Sequence, residues 1–341
     1  MTSNVYVLAD PGNSFTTAIP GSTGSGTGAI QIPVTGVTSL RINGGDGDDT
    51  LIIDGSGGDP LFTRDVIFDG GNGIDGITVN NFPGSFVSGV NINGGGKITV
   101  NGTRELRFKN LEPIDLSGSV VTTLEVQIDP ASTVTGPVTA TLSNHANAGI
   151  TRIDFDNGLE SLFFPTPTVS LTITGDLTDG DIINIEGVDA SWNVPIIING
   201  GGGADVVTFQ TNPTVTGGGD LTVTAETVNI LTVVVTDILT VNGGYNLAAG
   251  STLNVELNGT TPVTGHDQVD VTGTVTINDA TLTGSLGFTP AVGDAFVIIN
   301  NDGERTRSPE LSTVSLRDQH SIWAARISRS PTRAEPATMS C

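Results

Sequence analysis

A nine-residue pattern, G-G-x-G-x-D-x-(aliphatic)-x, occurs three times in this chain of 341 residues. The complete copies are residues 44–52, 70–78 and 200–208, and a degenerate copy that lacks only the first glycine spans residues 54–62. Glycine lets the chain turn sharply with positive φ, and the aliphatic residue two places after the aspartate starts a short, inward-pointing strand. Repetition of this turn-and-strand unit predicts coils that stack into a solenoid, because one unit cannot bury its apolar face alone.

The composition supports a protein built from strands and turns. Only 5% of the residues are aromatic and 14% are charged. Short β-prone segments such as Leu51–Ile53, Val66–Phe68 and Val194–Ile198 recur between Gly, Asn and Asp, and no amphipathic helix is recognisable. The sequence therefore predicts an all-β fold.

The tetrapeptide I-N-G-G ends three of the predicted strands, and V-N-G-G ends a fourth. This recurrence predicts that one strand-to-turn corner is used repeatedly along the solenoid. The copies are Ile42–Gly45, Ile92–Gly95, Ile198–Gly201 and Val241–Gly244.

Negative charge dominates the chain, with a formal net charge of −23. Residues 1–303 hold seven basic residues against 32 acidic ones, a net charge of −25. Such a surface repels nucleic acid and anionic membranes, and it suits bound cations or a salt-rich exterior. We therefore do not expect nucleic acid as a partner. No apolar run is long enough to span a bilayer, so we do not expect membrane insertion either.

The nonapeptide resembles the calcium-binding repeat of RTX, or hemolysin-type, proteins, and this resemblance implies a right-handed parallel β-solenoid. Calcium takes about six to eight hard oxygen ligands, so two neighbouring turns have to share one ion. The resemblance implies calcium as the cofactor, with side-chain oxygens from Asp49, Asp59, Asp75 and Asp205. It implies carbonyl ligands from Gly44, Asp46, Gly70, Asn72, Gly200 and Gly202.

The nonapeptides do not form a long tandem array. The copies between residues 44 and 78 are close enough in sequence to share ions between turns, whereas residues 200–208 have no neighbouring copy. The alternative interpretation is a set of Gly/Asp turns that connect strands without a metal.

Residues 247–303 resemble the passenger-associated repeat of autotransporter-like bacterial surface proteins, through the segments AGSTLNVEL, GHDQVDVTGTV and GFTPAVGDAF. Together the two resemblances imply a calcium-binding structural or adhesive segment of a bacterial secreted or cell-surface protein. They imply an extracellular or cell-surface location, with cell-surface or matrix glycans or proteins as partners. The first ten residues, MTSNVYVLAD, have neither the basic nor the apolar region of a secretory signal peptide, so we expect either another export route or an N-terminus that lies upstream.

The expected organisation has five parts. Capping strands occupy residues 1–40, the calcium cluster 41–80, solenoid repeats 81–246, the passenger-associated repeat 247–303, and a tail 304–341. The tail holds six of the 13 basic residues and no glycine, although 46 glycines precede it. Reading Ile322–Cys341 two bases later, with synonymous codons that we selected, produces LGGQNFTISYTGGAGNDVV, a strand followed by another nonapeptide. The tail is therefore predicted to be out of frame and disordered.

Three charged residues are candidates for chemistry on a glycan, since parallel β-helices also house lyases and glycosidases. Arg152, Asp154 and Asp156 alternate along a strand-like stretch, share one face, and could act as acid and base. The alternative is an exposed charge ladder. The sequence predicts no enzyme; a glycan-active β-helix enzyme and a truncated, non-functional fragment are the alternatives.

Two histidines and one tryptophan complete the candidates. His145 and His266 lie in polar, loop-like contexts without a matching nucleophile motif, and both are predicted to be surface residues. Trp192 precedes an apolar strand and is predicted to be a packing residue, with a sugar-stacking platform as the alternative.

Overall fold

The computed structural model describes most of the chain between residues 39 and 301, with short segments on either side. The described residues are 5–9, 23–24, 29–33, 39–56, 65–91, 95–131, 134–210, 214–215, 219–231, 238–291, 293–301, 312–315, 325–326 and 337–338. Within them the secondary structure consists of β-strands without α-helix. In the same residues, no helical segment has the length and apolar character that a membrane span requires.

The strands are short and closely spaced. In chain order they are β1 Val5–Ala9, β2 Ala29–Pro33, β3 Ser39–Asp46, β4 Thr50–Asp54, β5 Asp65–Asn72, β6 Gly76–Asn80, β7 Pro83–Asn91, β8 Gly95–Val100, β9 Arg104–Lys109, β10 Ile114–Asp115, β11 Val120–Ile128, β12 Thr139–Asn144, β13 Ile150–Phe155, β14 Leu162–Pro165, β15 Ser170–Thr174 and β16 Ile182–Ile185. They continue as β17 Ile196–Asn199, β18 Val206–Gln210, β19 Thr214–Val215, β20 Leu221–Thr224, β21 Thr227–Leu231, β22 Ile238–Val241, β23 Tyr245–Leu247, β24 Thr252–Leu257, β25 Gln268–Val271, β26 Val275–Ile277, β27 Thr281–Leu286, β28 Ala295–Asn301, β29 Ser312–Ser315, β30 Ala325–Arg326 and β31 Ala337–Thr338.

Three long sheets account for all strands except the antiparallel pair β1–β2. An eleven-stranded sheet has the order β26-β23-β20-β17-β15-β11-β7-β8-β9-β5-β3, and a twelve-stranded sheet has the order β30-β27-β24-β21-β18-β16-β12-β13-β14-β10-β6-β4. A six-stranded sheet, β19-β22-β25-β28-β29-β31, joins them later in the chain. Successive strands of the chain alternate between sheets, and most neighbours are parallel, as β3 and β5 are. The predicted all-β solenoid is confirmed; its right-handedness stays a prediction.

Two antiparallel excursions interrupt the parallel order, and the sequence pattern did not predict them. In the eleven-stranded sheet, β7, β8 and β9 form an antiparallel triplet whose outer strands pair in parallel with β11 and β5. In the twelve-stranded sheet, β12, β13 and β14 repeat this arrangement between β16 and β10. The eleven-stranded and the twelve-stranded sheet thus each contain one such antiparallel triplet.

Aliphatic side chains form the core by stacking in register from coil to coil. Leu51, Ile77, Ile114 and Leu162 occupy equivalent positions in four neighbouring strands of the twelve-stranded sheet, and all are buried. Burying one such side chain stabilises the fold by about 1.5–3 kcal/mol. The alternating burial along β6 and β15 shows that inward and outward residues follow the period of two that a half-buried strand requires.

Several further expectations concern packing and boundaries. Trp192 is 1% exposed, and its Nε1 donates to the Val194 carbonyl at 2.8 Å, so it is a packing residue and not a sugar platform. The sheets continue across residue 247, the expected boundary of the passenger-associated repeat, since β23 pairs with both β20 and β26.

Of the tail, residues 304–341, the structure describes only β29, β30 and β31. The proposed shift of reading frame stays a prediction.

Candidate functional site

The nonapeptides lie where the strands of the twelve-stranded sheet begin. We call this edge the leading corner. It includes residues 47–49, 73–75, 110–113, 129–131, 134–138, 156–161, 175–181, 200–205 and 225–226. Of the four N-G-G tetrapeptides, Ile42–Gly45 and Ile198–Gly201 lie here, whereas Val241–Gly244 connects β22 of the six-stranded sheet to β23. The expectation of one reused corner is therefore wrong for that copy, and residues 92–94 of the remaining copy lie outside the described residues.

The first two nonapeptides stack directly on each other. Gly45 pairs with Gly71 and Asp46 with Asn72, which places the two turns in register 26 residues apart. The Gly47 N–H donates to the Asn72 carbonyl at 2.8 Å, and the Asn72 amide donates to Asp46 Oδ1 at 2.8 Å. The expected adjacency of these two copies is thus observed, and their polar groups face one another at the surface.

Two aspartates of the first two turns accept hydrogen bonds from the backbone of the neighbouring turn. Asp75 is 1% exposed, and its Oδ1 accepts the N–H of Asp49 at 2.8 Å. In the same way Asp48 Oδ1 accepts the N–H of Ile74 at 2.9 Å. Each of these carboxylates therefore uses one oxygen to join two coils, and a backbone N–H that would otherwise be unpaired is satisfied.

The first glycine of each copy explains part of the spacing. A Cβ on Gly44 would lie 2.6 Å from Asp49 Oδ2, and a Cβ on Gly70 would lie 2.6 Å from Asp75 Oδ2. A backbone carbonyl of the adjacent coil would be closer still, Gly70 O at 2.4 Å for Gly44 and Asn110 O at 2.1 Å for Gly70, so glycine is needed at both positions. On the next residue, Gly71 (φ +110°), a Cβ would collide with the Gly45 carbonyl of the adjacent coil.

The third nonapeptide has a neighbouring turn on each side, which corrects the expectation that it stands alone. The Gly202 N–H donates to the Asp176 carbonyl at 2.9 Å, and the Asp181 N–H donates to Asp205 Oδ1 at 2.9 Å. On the other side, the Asp205 N–H donates to Glu226 Oε2 at 2.9 Å. The sequence search missed the turn 175–181 because it is one residue longer than the nonapeptide turn and lacks its paired glycines.

Burial opposes ionisation at this third site. Burial, and to a smaller extent the charges of Glu226 and Asp181, raise the pKa of the Asp205 carboxyl to about 6, although the hydrogen bond from Asp181 N–H acts to lower it. Burial also raises the pKa of Asp181, which is 0% exposed, while the N–H groups of Asp176 and Val138 act to lower it. A nearby cation would favour the ionised form of both groups.

These acidic residues belong to one series along the leading corner. Each lies two positions before a buried, register-matched aliphatic residue of the twelve-stranded sheet. The series is Asp49, Asp75, Glu112, Glu160, Asp181, Asp205 and Glu226. Four members, Glu112, Glu160, Asp181 and Glu226, were missed by sequence analysis because they have no nonapeptide glycines around them; an acidic residue two places before an inward aliphatic residue is the signal that finds them.

The degenerate nonapeptide does not begin at this corner. Asp54 ends β4, and the Gly55 N–H donates to the Asn80 carbonyl at 2.9 Å, on the opposite edge of the twelve-stranded sheet. Asp59, its predicted ligand, lies outside the described residues. The copy therefore starts at a different corner from the three complete ones.

The donor set at the corner limits the kind of metal site that it could form. Within the described ranges, no group of three or more His, Cys, Asp or Glu side chains is arranged to hold a metal ion. Hard oxygens are nevertheless the chemistry that calcium prefers. In Asp46, Asp48 and Asp75, one carboxylate oxygen accepts a hydrogen bond from the neighbouring turn, and each carboxylate has a second oxygen. A calcium site here fits only if carbonyl oxygens and water supply most of the ligands.

Two of the charged candidates for glycan chemistry, Arg152 and Asp154, form an ion pair with each other. Arg152 Nε donates to Asp154 Oδ2 at 2.5 Å, and Ser161 Oγ donates to Asp154 Oδ1 at 2.9 Å. Asp156 lies beyond the end of β13, where its Oδ1 accepts the N–H of Thr139 at 2.8 Å. The first two residues share a face as predicted, whereas Asp156 acts as a link between turns.

The two histidines have different environments. His145 is half-buried beside Phe163, and its Nδ1 accepts the N–H of Asn147. His266 is 0% exposed and packs edge-on against Phe296, so its predicted surface location is wrong. Burial lowers the pKa of His266. The polar residues around His266 in the sequence suggested a surface loop. In the structure, His266 lies two residues before β25, and its ring packs in the core.

No family model matches this chain, and neither a curated protein nor a solved structure shows significant similarity to it.

Proposed function

We propose that this chain is a calcium-binding structural or adhesive β-solenoid segment of a bacterial secreted or cell-surface protein. The observation that carries the proposal is the in-register stacking of the turns 44–49 and 70–75. A shared ion requires such stacking, because neither turn alone offers enough oxygens. The net charge of −23 adds a general reason for cation binding.

In the proposed sites, Asp49 and Asp75 supply carboxylate oxygens, and Gly44, Asp46, Gly70 and Asn72 supply carbonyl oxygens. At the third nonapeptide, Asp205 supplies the carboxylate, with carbonyls from Gly200 and Gly202. Calcium would offset the repulsion between carboxylates of adjacent coils and so stabilise the folded rod. The ion would act on folding and rigidity, and no chemical step is assigned to it.

The glycan-active alternative gains no support from the geometry. The oxygens of Asp154 are engaged by Arg152 and Ser161, which is the arrangement of a structural ion pair. We therefore do not propose an enzymatic role for these residues.

Calcium-dependent stability tests the proposal. Circular dichroism and thermal unfolding of the chain are compared in chelator and in millimolar calcium. At about 100 times the dissociation constant, calcium should add about 2.7 kcal/mol to the free energy of unfolding per site. Asp49→Ala combined with Asp75→Ala should remove most of this response.

A matched control removes the same number of charges elsewhere. Asp65→Ala with Glu186→Ala changes two exposed acidic residues outside the nonapeptides and should leave the calcium response intact. If calcium changes neither the spectrum nor the melting temperature of the unmodified chain, the turns connect strands without a metal.

A further inference from the structure

Glu160 is a buried acidic side chain that no nonapeptide includes. It precedes β14 at the leading corner, and the residue is 2% exposed. Its Oε2 is buried and has no hydrogen-bond partner among the described residues. A buried carboxylate oxygen without a partner costs free energy, so this group needs a proton or a cation.

Glu112 lies on the neighbouring coil at the equivalent position. Ile114 pairs with Leu162, and the Ile114 N–H donates to the Ser161 carbonyl at 2.9 Å, so the residues two places earlier in each strand are adjacent. Glu112 itself is exposed. Burial, and to a smaller extent the charge of Glu112, raise the pKa of Glu160 to about 8.

The basic side chain on the strand next to β14 is paired with a different carboxylate. Arg152, on the adjacent β13, bonds to Asp154, whose other oxygen accepts from Ser161 Oγ. Toward the nonapeptides, the Glu112 N–H donates to the carbonyl of Asp75. Glu112 and Glu160 therefore extend the series of stacked acidic residues beyond the glycine-rich turns.

We propose that Glu112 and Glu160 form a second type of cation site, which binds a hard divalent cation between neighbouring coils. Glu160 supplies an inner carboxylate oxygen, Glu112 supplies one from the surface side, and water completes the coordination. The cation gives the orphaned Oε2 of Glu160 a partner and removes the repulsion between the two carboxylates. The site does not depend on the nonapeptide ligands, so it can be present or absent whatever their behaviour.

The test uses the full chain with Asp49→Ala and Asp75→Ala as background, so that the first two nonapeptides are silent. Bound calcium is counted by equilibrium dialysis at pH 9, where Glu160 is ionised, and the melting temperature is measured in chelator and in calcium. Adding Glu160→Gln should remove one bound calcium and the remaining rise in melting temperature contributed by this pair. Magnesium, in a parallel titration, should compete for the same site.

Glu186→Gln is the matched control, since it makes the same chemical change at an exposed position away from the corner. In chelator, Glu160→Gln should fold at least as well as the unmodified chain, because it no longer buries a charge. A Glu160→Gln variant that keeps the same number of bound calcium ions and the same calcium-dependent rise overturns the proposal. If instead Asp49→Ala with Asp75→Ala has no effect while Glu160→Gln removes a bound ion, the nonapeptide proposal fails and this one stands.

Discussion

The turn pair 44–49 and 70–75 and the turn pair 175–181 and 200–205 occupy the same corner of the solenoid. In both, the aspartate of one coil donates its N–H to the carboxylate of the next aspartate, at 2.8 Å in the first pair and 2.9 Å in the second. The first pair joins two equal nonapeptides near the solenoid's described N-terminal end, and only Asp75 of its two aspartates is fully buried. The second joins turns of unequal length, and both Asp181 and Asp205 are buried.

The difference shows that glycine pattern and structural position are separate properties. An aspartate at this position links coils whether or not the nonapeptide glycines surround it. The glycines instead allow a tight turn with open, polar backbone, as in residues 44–49. The first pair is therefore the better candidate for an exchangeable ion, and the second is the more strongly embedded structural link.

Glycine substitutions should have the largest effect and should affect the two pairs alike. Gly71 and Gly201 both have positive φ, and a Cβ on either would collide with a carbonyl of the adjacent coil. Gly45 has the same φ of +110° as Gly71, but a Cβ on Gly45 would meet no atom within 4 Å. Gly45→Ala should cost about 1–3 kcal/mol from backbone strain alone. Gly71→Ala and Gly201→Ala should each cost about 1–3 kcal/mol more, measured by urea unfolding; equal losses at Gly45 and Gly71 would contradict the stacking.

Removing a buried aspartate should separate the two pairs. Asp181 accepts the N–H of Asp176 at 2.7 Å and of Val138 at 3.1 Å, whereas Asp75 accepts that of Asp49. Each N–H left unpaired in a buried position costs about 1–3 kcal/mol, so Asp181→Ala should destabilise the chain more than Asp75→Ala. Asp181→Asn, which keeps only one of the two acceptor oxygens, should also destabilise the chain in urea unfolding. A larger loss for Asp75→Ala in chelator would reverse the assignment of the embedded pair.

The pH dependence of stability should reveal the buried carboxyl group of the second pair. The folded pKa of Asp205, about 6, lies above its ordinary value of 3.8. Its contribution to stability is therefore complete below about pH 4 and is lost as the pH rises through 6. Asp205→Asn should flatten this part of the profile of melting temperature against pH in chelator. Asp54, which lies at the opposite edge and belongs to neither pair, has a pKa that hydrogen bonds from Ser56 and Asn81 lower, so Asp54→Asn should remove stability at higher pH. An unchanged slope for Asp205→Asn between pH 4 and 6 would exclude burial as the cause.

The smallest effect is expected for a surface contact of the first pair. The Asn72 amide bonds to Asp46 in an exposed position, so Asn72→Ala should change stability by no more than about 0.5 kcal/mol. The proposed ligand at this position is the backbone carbonyl, which alanine retains. Calcium affinity, measured by titration, should therefore change less than about twofold. A tenfold loss would assign the ligand to the side-chain amide instead.

Much of the fold followed from local pattern, and much of the corner did not. The alternation of aliphatic and polar residues in segments such as Leu51–Ile53 correctly predicted strands, and the recurrence of turns correctly predicted a solenoid. The antiparallel direction of β8 and β13 was not predicted. Apolar and polar residues alternate in the same way in parallel and antiparallel strands, so this pattern does not reveal the direction of a strand. His266 was misplaced since burial depends on what packs over a turn.

Local chemistry was sufficient to set the turns and the strands of this chain, because glycine conformations and the side-chain period of two act over a few residues. Which acidic residues meet is a different matter. Asp181 and Asp205, or Glu112 and Glu160, become neighbours only when coils that are 24 to 48 residues apart stack in register. The tertiary structure decided that pairing, since the register between coils is set by the packing of the whole core and not by any one turn.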